Sequence, residues 1–227
     1  MNSSNQDTKD NEYDSMLWKT LSTEYLIKKT WLTARCDRVE MPTGMVIPEY
    51  YVLEYPEWVN VVAITKEGLF VIERQYRHAR GCVSLEICAG VVEKGEQPLE
   101  AAKRELEEET GFGGGIWTPL LTVCPNAGTM TNRSYSFIAE GVTHITEAHQ
   151  ESTEDITVDL MTRDEVFMHL VNGDFIQAMM VAPLWKYFYE SNAANSHLAP
   201  PRKAGTSRHE EGEFLPFRLP SGDPQQR

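Results

Sequence analysis

Residues 90–112 read GVVEKGEQPLEAAKRELEEETGF, and this stretch restricts the fold more than any other. Leu99, Ala102 and Leu106 recur at spacings of three and four, which marks the apolar stripe of an α-helix over residues 98–110. Pro98 suits the first turn of such a helix and Gly111 its end. Glu105, Glu108 and Glu109 keep the same spacing on another face. The helix therefore lies on a core along one side and presents a carboxylate cluster along the other. Five glutamates fall between Glu100 and Glu109, with only Lys103 and Arg104 as cations among them. A solvated face is the ordinary outcome for an acidic helix. Grouped carboxylates also suit divalent cations, which prefer oxygen ligands. A glycine loop, Gly90 to Gly95, leads from a strand-like run into the helix and can bring a backbone carbonyl beside the carboxylates.

Around this helix the chain reads as short strands. Residues 25–55 give about three antiparallel ones, with a turn at Pro42-Thr-Gly44. Residues 58–65 form a buried strand, Lys66-Glu67-Gly68 a hairpin turn, and residues 69–77 the return strand. Further strands are expected at 84–92, 116–124, 134–140 and 154–160. Thr162-Arg-Asp-Glu165 fits a capping box opening a helix that stops at Asn172-Gly173. A last helix over 175–189 holds Pro183 and is expected to kink there. The polar residues 1–15 have no apolar core, so they read as disordered and not as a signal peptide. Residues 191–227, rich in proline, read as a disordered tail. Between them lie an N-terminal β-element (16–56) and the main domain (57–190). The fold class is α+β: a mixed sheet with the acidic helix at its centre, plus the small antiparallel element.

The net charge is −13, from 21 basic and 34 acidic residues. A phosphate backbone needs a cationic face, so nucleic acid is not an expected partner. No apolar run reaches membrane-spanning length, and a soluble cytoplasmic protein is expected. The four cysteines (36, 82, 88 and 124) show no CxxC spacing. Cys88 and Cys124 lie in apolar runs and read as buried thiols, not as a disulfide framework or a zinc site.

The spacing Gly90, Glu96, Arg104, Glu105, Leu106, Glu108, Glu109, Gly111, Phe112 fits G-x5-E-x7-R-E-U-x-E-E-x-G-U, where U is a bulky apolar residue. The chain thereby resembles the Nudix hydrolase superfamily, at all nine defined positions of its signature. The resemblance implies an α/β/α sandwich and metal-dependent hydrolysis of a nucleoside diphosphate linked to another moiety, with Mg²⁺ or Mn²⁺. It implies Glu105 and Glu109 as central metal ligands, Glu108 assisting, and the carbonyl of Ala89 as a further ligand. Arg104 would orient the carboxylates by charge-assisted hydrogen bonds. Gly90, Glu96 and Gly111 would support the loop and helix.

Within the superfamily the chain is most similar to the ADP-sugar pyrophosphatases. Arg74-Gln-Tyr-Arg77 matches their R-Q-[YF]-R strand, and Leu85-Glu86-Ile-Cys-Ala-Gly90 resembles their L-E-x-P-A-G run, with Cys88 in place of the proline. Arg74 and Arg77 would meet phosphate or terminal ribose, and Glu86 would position them or a metal. A late loop glutamate, Glu154 or else Glu151, would act as base or extra ligand. The Ser-Pro-Gly run common in ADP-ribose pyrophosphatases is replaced here by Cys124-Pro-Asn-Ala127. The N-terminal element resembles the sheet through which these enzymes form homodimers. The substrate expected is ADP-ribose or another ADP-sugar. Alternatives are GDP-mannose, a coenzyme or a dinucleotide, and, in a different class, a non-catalytic ADP-ribose sensor.

Overall fold

The computed structural model describes residues 15–30, 32–150 and 155–195. The expectations for residue 31, for Glu151 and Glu154, and for residues 1–14 and 196–227 lie outside the described residues. Three strands come first: β1 (Lys19–Lys29), β2 (Leu32–Glu40) and β3 (Val46–Glu54), paired antiparallel in that order. The sequence pattern starts the first strand at residue 25, yet it begins at Lys19. Nearly all of β1 is exposed, so no in–out alternation of apolar residues marks its start. The end of β3 is stitched to the loop before a later strand. Leu53 N–H donates to the Thr129 carbonyl (2.7 Å), Thr131 N–H donates to the Leu53 carbonyl (3.1 Å), and the Tyr50 hydroxyl donates to the Gly128 carbonyl (2.7 Å).

The main sheet holds β4 (Trp58–Thr65), β5 (Phe70–Arg77), β6 (Cys82–Glu86), β7 (Ala89–Val91), β8 (Phe112–Gly113), β9 (Ile116–Val123), β10 (Ser134–His144) and β11 (Ile156–Met161). Its order is β11-β5-β4-β10-β8, with β6 on β5, β7 on β4 and β9 on β10. β10 runs parallel to β4 and the other pairs are antiparallel, so the sheet is mixed. Helices α1 (Pro98–Thr110), α2 (Arg163–Asn172) and α3 (Ala178–Asn195) complete the fold.

Strand alternation explains the layers. Val59, Val61 and Ala63 of β4 pack with Ala101, Ala102 and Leu106 of α1. Val62 and Ile64 face the other way, onto Val166, Leu170, Leu184 and Phe188 of α2 and α3. A strand buried on both faces reads as an unbroken apolar run, as residues 58–65 do. On β5 the same alternation puts Val71 on the α1 side, and Glu73, two residues on, follows it.

Residues 84–92 are not one strand. β4 and β5 register only at Ile64 opposite Phe70, and beyond that point β6 lies on β5 while β7 lies on β4. The chain changes partner at Ile87–Cys88, so the strand breaks there. Cys88 is fully buried and free, whereas Cys124 is only half-buried, contrary to the expectation for it. The capping box is present: Glu165 N–H donates to the Thr162 hydroxyl and Thr162 N–H donates to the Glu165 carboxylate. The last helix runs on to Asn195, past the expected end at 189. Among the described residues no helix is long and apolar enough to cross a membrane.

Candidate active site

The loop after β7 folds back on α1, and a glycine permits it. A Cβ on Gly90 would stand 2.0 Å from Cδ of Glu105, so only a bare backbone leaves that carboxylate its place. Glu105 Oε1 then accepts from Val91 N–H at 3.2 Å. One turn on, Glu109 Oε2 accepts from Ala89 N–H at 3.3 Å. Two carboxylates of the helix are thus held by two amides of a single three-residue strand. At the far end of α1, Gly111 adopts φ +73, and its N–H donates to the Glu107 carbonyl at 2.8 Å.

Arg104 ties the cluster together. Its Nε and Nη2 form a fork on the Glu96 carboxylate, both at 3.0 Å. Nη1 donates to Glu105 and to Glu108, each at 3.0 Å, and Nη2 also reaches the Val91 carbonyl at 3.0 Å. The Glu96 hydrogen bonds raise the Arg104 pKa above its ordinary value against the cost of burial, and Arg104 in turn lowers that of Glu96. One guanidinium therefore relieves part of the repulsion among Glu105, Glu108 and their neighbours. Glu109 is buried, Glu105 half-buried and Glu108 exposed, so the cluster grades from the sheet out to solvent.

Beneath Glu109 lies a second acidic group. Glu73 of β5 and Glu86 of β6 are cross-strand partners, and both are buried. Arg77 donates to both oxygens of Glu86, from Nε at 2.7 Å and from Nη2. Glu73 has no such cation, and its Oε1 has no hydrogen-bond partner. Burial first, then the carboxylates of Glu109 and Glu86 and a hydrogen bond shared with Glu109, push its pKa well above the ordinary 4.5, with Arg77 offsetting a part. Burial likewise raises the Cys88 thiol, helped by Glu109 and Glu73.

Arg74 does not join this group. Alternation along β5 sets it on the opposite face from Glu73 and Arg77, where its Nε pairs with Asp159 of β11 at 2.8 Å. His149 and Gln150 are anchored at the C-terminal end of α1. Gln150 donates to the carbonyls of Glu109 (3.2 Å) and Ile156 (2.9 Å), and His149 N–H donates to the Glu108 carbonyl (2.8 Å).

The family described as the NUDIX domain matches residues 55–180, more than half of the chain. The chain belongs to the Nudix family. A second family, the nucleoside diphosphate sugar hydrolase N-terminal domain, matches residues 18–53 ahead of the Nudix match. A methanol dehydrogenase activator of Bacillus methanolicus is 33% identical over 154 residues, 67% of this chain and 82% of that one. An ADP-ribose pyrophosphatase of Bacillus subtilis is 32% identical over 143 residues, 63% of this chain and 76% of that one. A crystal structure titled ADP compounds hydrolase superposes with a TM-score of 0.69 over 80% of this chain and 97% of that one, at 20% identity, and so shares the fold.

Sequence reasoning singles out the Nudix glutamates and Arg104, which the fold gathers around Gly90. It passes over Glu73 and Gln150. Glu73 ends an apolar run and precedes Arg74, so it looks like a residue turning out to solvent. The period-two alternation from Val71 is the signal that would have placed it inside. Gln150 has no such signal in the sequence.

Proposed function

We propose that this Nudix chain is a divalent-cation-dependent pyrophosphatase of nucleoside diphosphate sugars, ADP-ribose or another ADP-sugar foremost, releasing AMP and a sugar phosphate. The observation that carries the reading is the cluster of Glu105, Glu108 and Glu109, fixed by Arg104 and by the amides of Ala89 and Val91. The names of the Bacillus subtilis relative and of the N-terminal family support the substrate class.

The donor set fits a hard divalent cation. Carboxylates converge at the Gly90 loop, where the missing side chain leaves room for that of Glu105. Glu105 and Glu109 would hold Mg²⁺ or Mn²⁺, with Glu108 and the Ala89 carbonyl assisting. Such an ion neutralises diphosphate oxygens and acidifies water for attack on phosphorus. Arg104 orients Glu105 and Glu108 through its hydrogen bonds to them. Arg77, braced by Glu86 and still part-exposed, turns a guanidinium edge towards a phosphate. Arg74 lies on the opposite face of the same strand, paired with Asp159. Glu154, or else Glu151, supplies a base or a further metal ligand. The domain limits remain those of the sequence reading, 16–56 and 57–190.

The first sheet favours a homodimer. Tyr25, Leu26, Ile27, Met45 and Tyr51 are exposed on it, an apolar surface that a second copy would cover. The free cysteines suit the reducing cytoplasm.

Product profiling with Mg²⁺ over ADP-ribose, other ADP-sugars, GDP-mannose, NADH, dinucleoside polyphosphates and coenzyme A tests the function. AMP formed preferentially from ADP-ribose or an ADP-sugar is the expected result. Tight ADP-ribose binding without hydrolysis of any compound would overturn it.

A further inference from the structure

Glu73 and Cys88 have no part in the hydrolytic role given to Glu105 and Glu108, yet both crowd against Glu109. We propose that Glu73, Cys88 and Glu109 form a mixed carboxylate–thiolate site for a thiophilic divalent cation of the Zn²⁺ or Co²⁺ class, seated beneath the Gly90 loop. The site shares Glu109 with the pyrophosphatase centre and so rests on that reading of the helix.

Geometry is the first support. One donor atom from each of the three side chains lies within 4.8 Å of the other two. Donors around one tetrahedral ion sit about 3.5 Å apart, given metal–oxygen and metal–sulfur bonds near 2.1 and 2.3 Å. Side-chain shifts of roughly 1 Å close three donors at that spacing onto one ion. The three come from β5, from the break between β6 and β7, and from the last turn of α1, so the fold itself converges them.

The bare oxygen of Glu73 is the second support. Glu73 is 4% exposed; its carboxyl touches Glu109, and beyond that contact its Oε1 has no hydrogen-bond partner among the described residues. Buried polar atoms are almost always satisfied, and an unpaired carboxylate oxygen is among the costliest exceptions. Its neighbour Glu86, also buried, has both oxygens satisfied by Arg77. The fold thus gives one buried glutamate an arginine and leaves the other facing a thiol and a second carboxylate.

The donor types set the metal class. Sulfur does not suit Mg²⁺, which takes oxygen ligands, whereas Zn²⁺ and Co²⁺ accept thiolate, carboxylate and water together. Mg²⁺ would then serve the outer carboxylates while the inner ion braces Glu109 from below.

The test uses the full chain with Cys36, Cys82 and Cys124 changed to serine, so that Cys88 is the one thiol. Co²⁺ is titrated anaerobically and the near-ultraviolet thiolate-to-cobalt band is recorded. A band saturating at one equivalent is expected, absent in Cys88→Ser, with Co²⁺ affinity falling at least tenfold in Glu73→Gln. No band, or a band indifferent to Glu73→Gln, overturns the site. The unsubstituted protein, which needs no variant to fold, must also hold one Zn²⁺ against a chromophoric chelator, and failure to do so overturns it as well. Mg²⁺-supported AMP release from ADP-ribose on the same samples separates the two readings. Hydrolysis without the band overturns this site and leaves the pyrophosphatase. The band without hydrolysis supports this site and overturns the pyrophosphatase.

Discussion

Replacing Gly90 with alanine tests the loop–helix geometry directly. The Gly90 backbone is not in the left-handed region, so alanine fits its dihedrals and the effect is steric. The new Cβ would stand 2.0 Å from Cδ, 2.2 Å from Oε1 and 2.4 Å from Oε2 of Glu105. Carbon atoms pack at about 3.5 Å or more, so the carboxylate must retreat by roughly 1.5 Å. That movement breaks the Val91 N–H bond (3.2 Å) and the Arg104 bond (3.0 Å) to Oε1. Hydrogen bonds to charged groups contribute about 1.5–3 kcal/mol each, and water reaches the half-buried Glu105 to recover part, which leaves a net loss of about 1–3 kcal/mol. At about 2–4 °C per kcal/mol for a domain of this size, melting falls by roughly 3–10 °C. Displacing a reactive group by about 1 Å costs on the order of 100-fold in rate, and kcat/KM should fall at least that far. Circular dichroism melts and AMP release from ADP-ribose with Mg²⁺ measure the two effects separately. A folded Gly90→Ala protein working within about threefold of the wild-type rate would refute the reasoning, since 100-fold is about 2.7 kcal/mol of barrier.

Glu109→Gln keeps size and fold but removes a central donor, and should lose several kcal/mol of transition-state stabilisation, roughly 10³-fold or more in kcat; a near-normal single-turnover rate contradicts the assignment. Arg104→Lys cannot keep the fork on Glu96 together with the bonds to Glu105 and Glu108, so kcat should drop about tenfold with a modest loss of stability; unchanged kinetics would show that the fork is dispensable. Glu73 has a folded pKa raised above the ordinary 4.5. Its contribution to stability is therefore full below pH 4.5 and declines as pH rises towards the folded value. With chelator present, Glu73→Gln should be more stable than wild type at pH 8 and lose that advantage at pH 4, as read from urea midpoints; an equal difference at both pH values counts against a raised pKa.

The elements that the sequence displays best are those whose signals are local. Pro98, the Ala102–Leu106 stripe and Gly111 delimit α1 correctly, and Thr162 with Glu165 does the same for α2. The nine signature positions gather Glu96, Arg104 and the three glutamates without help from tertiary structure. What stays hidden depends on partners far along the chain. The break at Ile87–Cys88 follows from β4 and β5 parting, which no residue in 84–92 records. Glu73 is buried because α1 covers that face of β5, although its own neighbours read as a strand leaving the core. Arg74 and Arg77 share a motif but take opposite faces, an outcome that alternation on β5 predicts once the strand is placed. The first strand begins early because a lone exposed sheet needs no apolar alternation within one copy.

The parallel pairing of β4 with β10 also sets when the catalytic centre comes into being. Ser134 and Asn60, bonded side chain to side chain across it, are 74 positions apart. Closing so long a loop costs entropy before any contact rewards it, and folding slows as such distant contacts accumulate. Every box residue lies inside that loop. During synthesis the whole acidic segment leaves the ribosome before the strand that completes the sheet beneath it. A chain halted near residue 130 would present the bare Val59–Ile64 run and have no assembled cation site. The emerging enzyme is in that interval a hydrophobic, aggregation-prone polypeptide, so its yield in a cell depends on how quickly residues 134–144 follow.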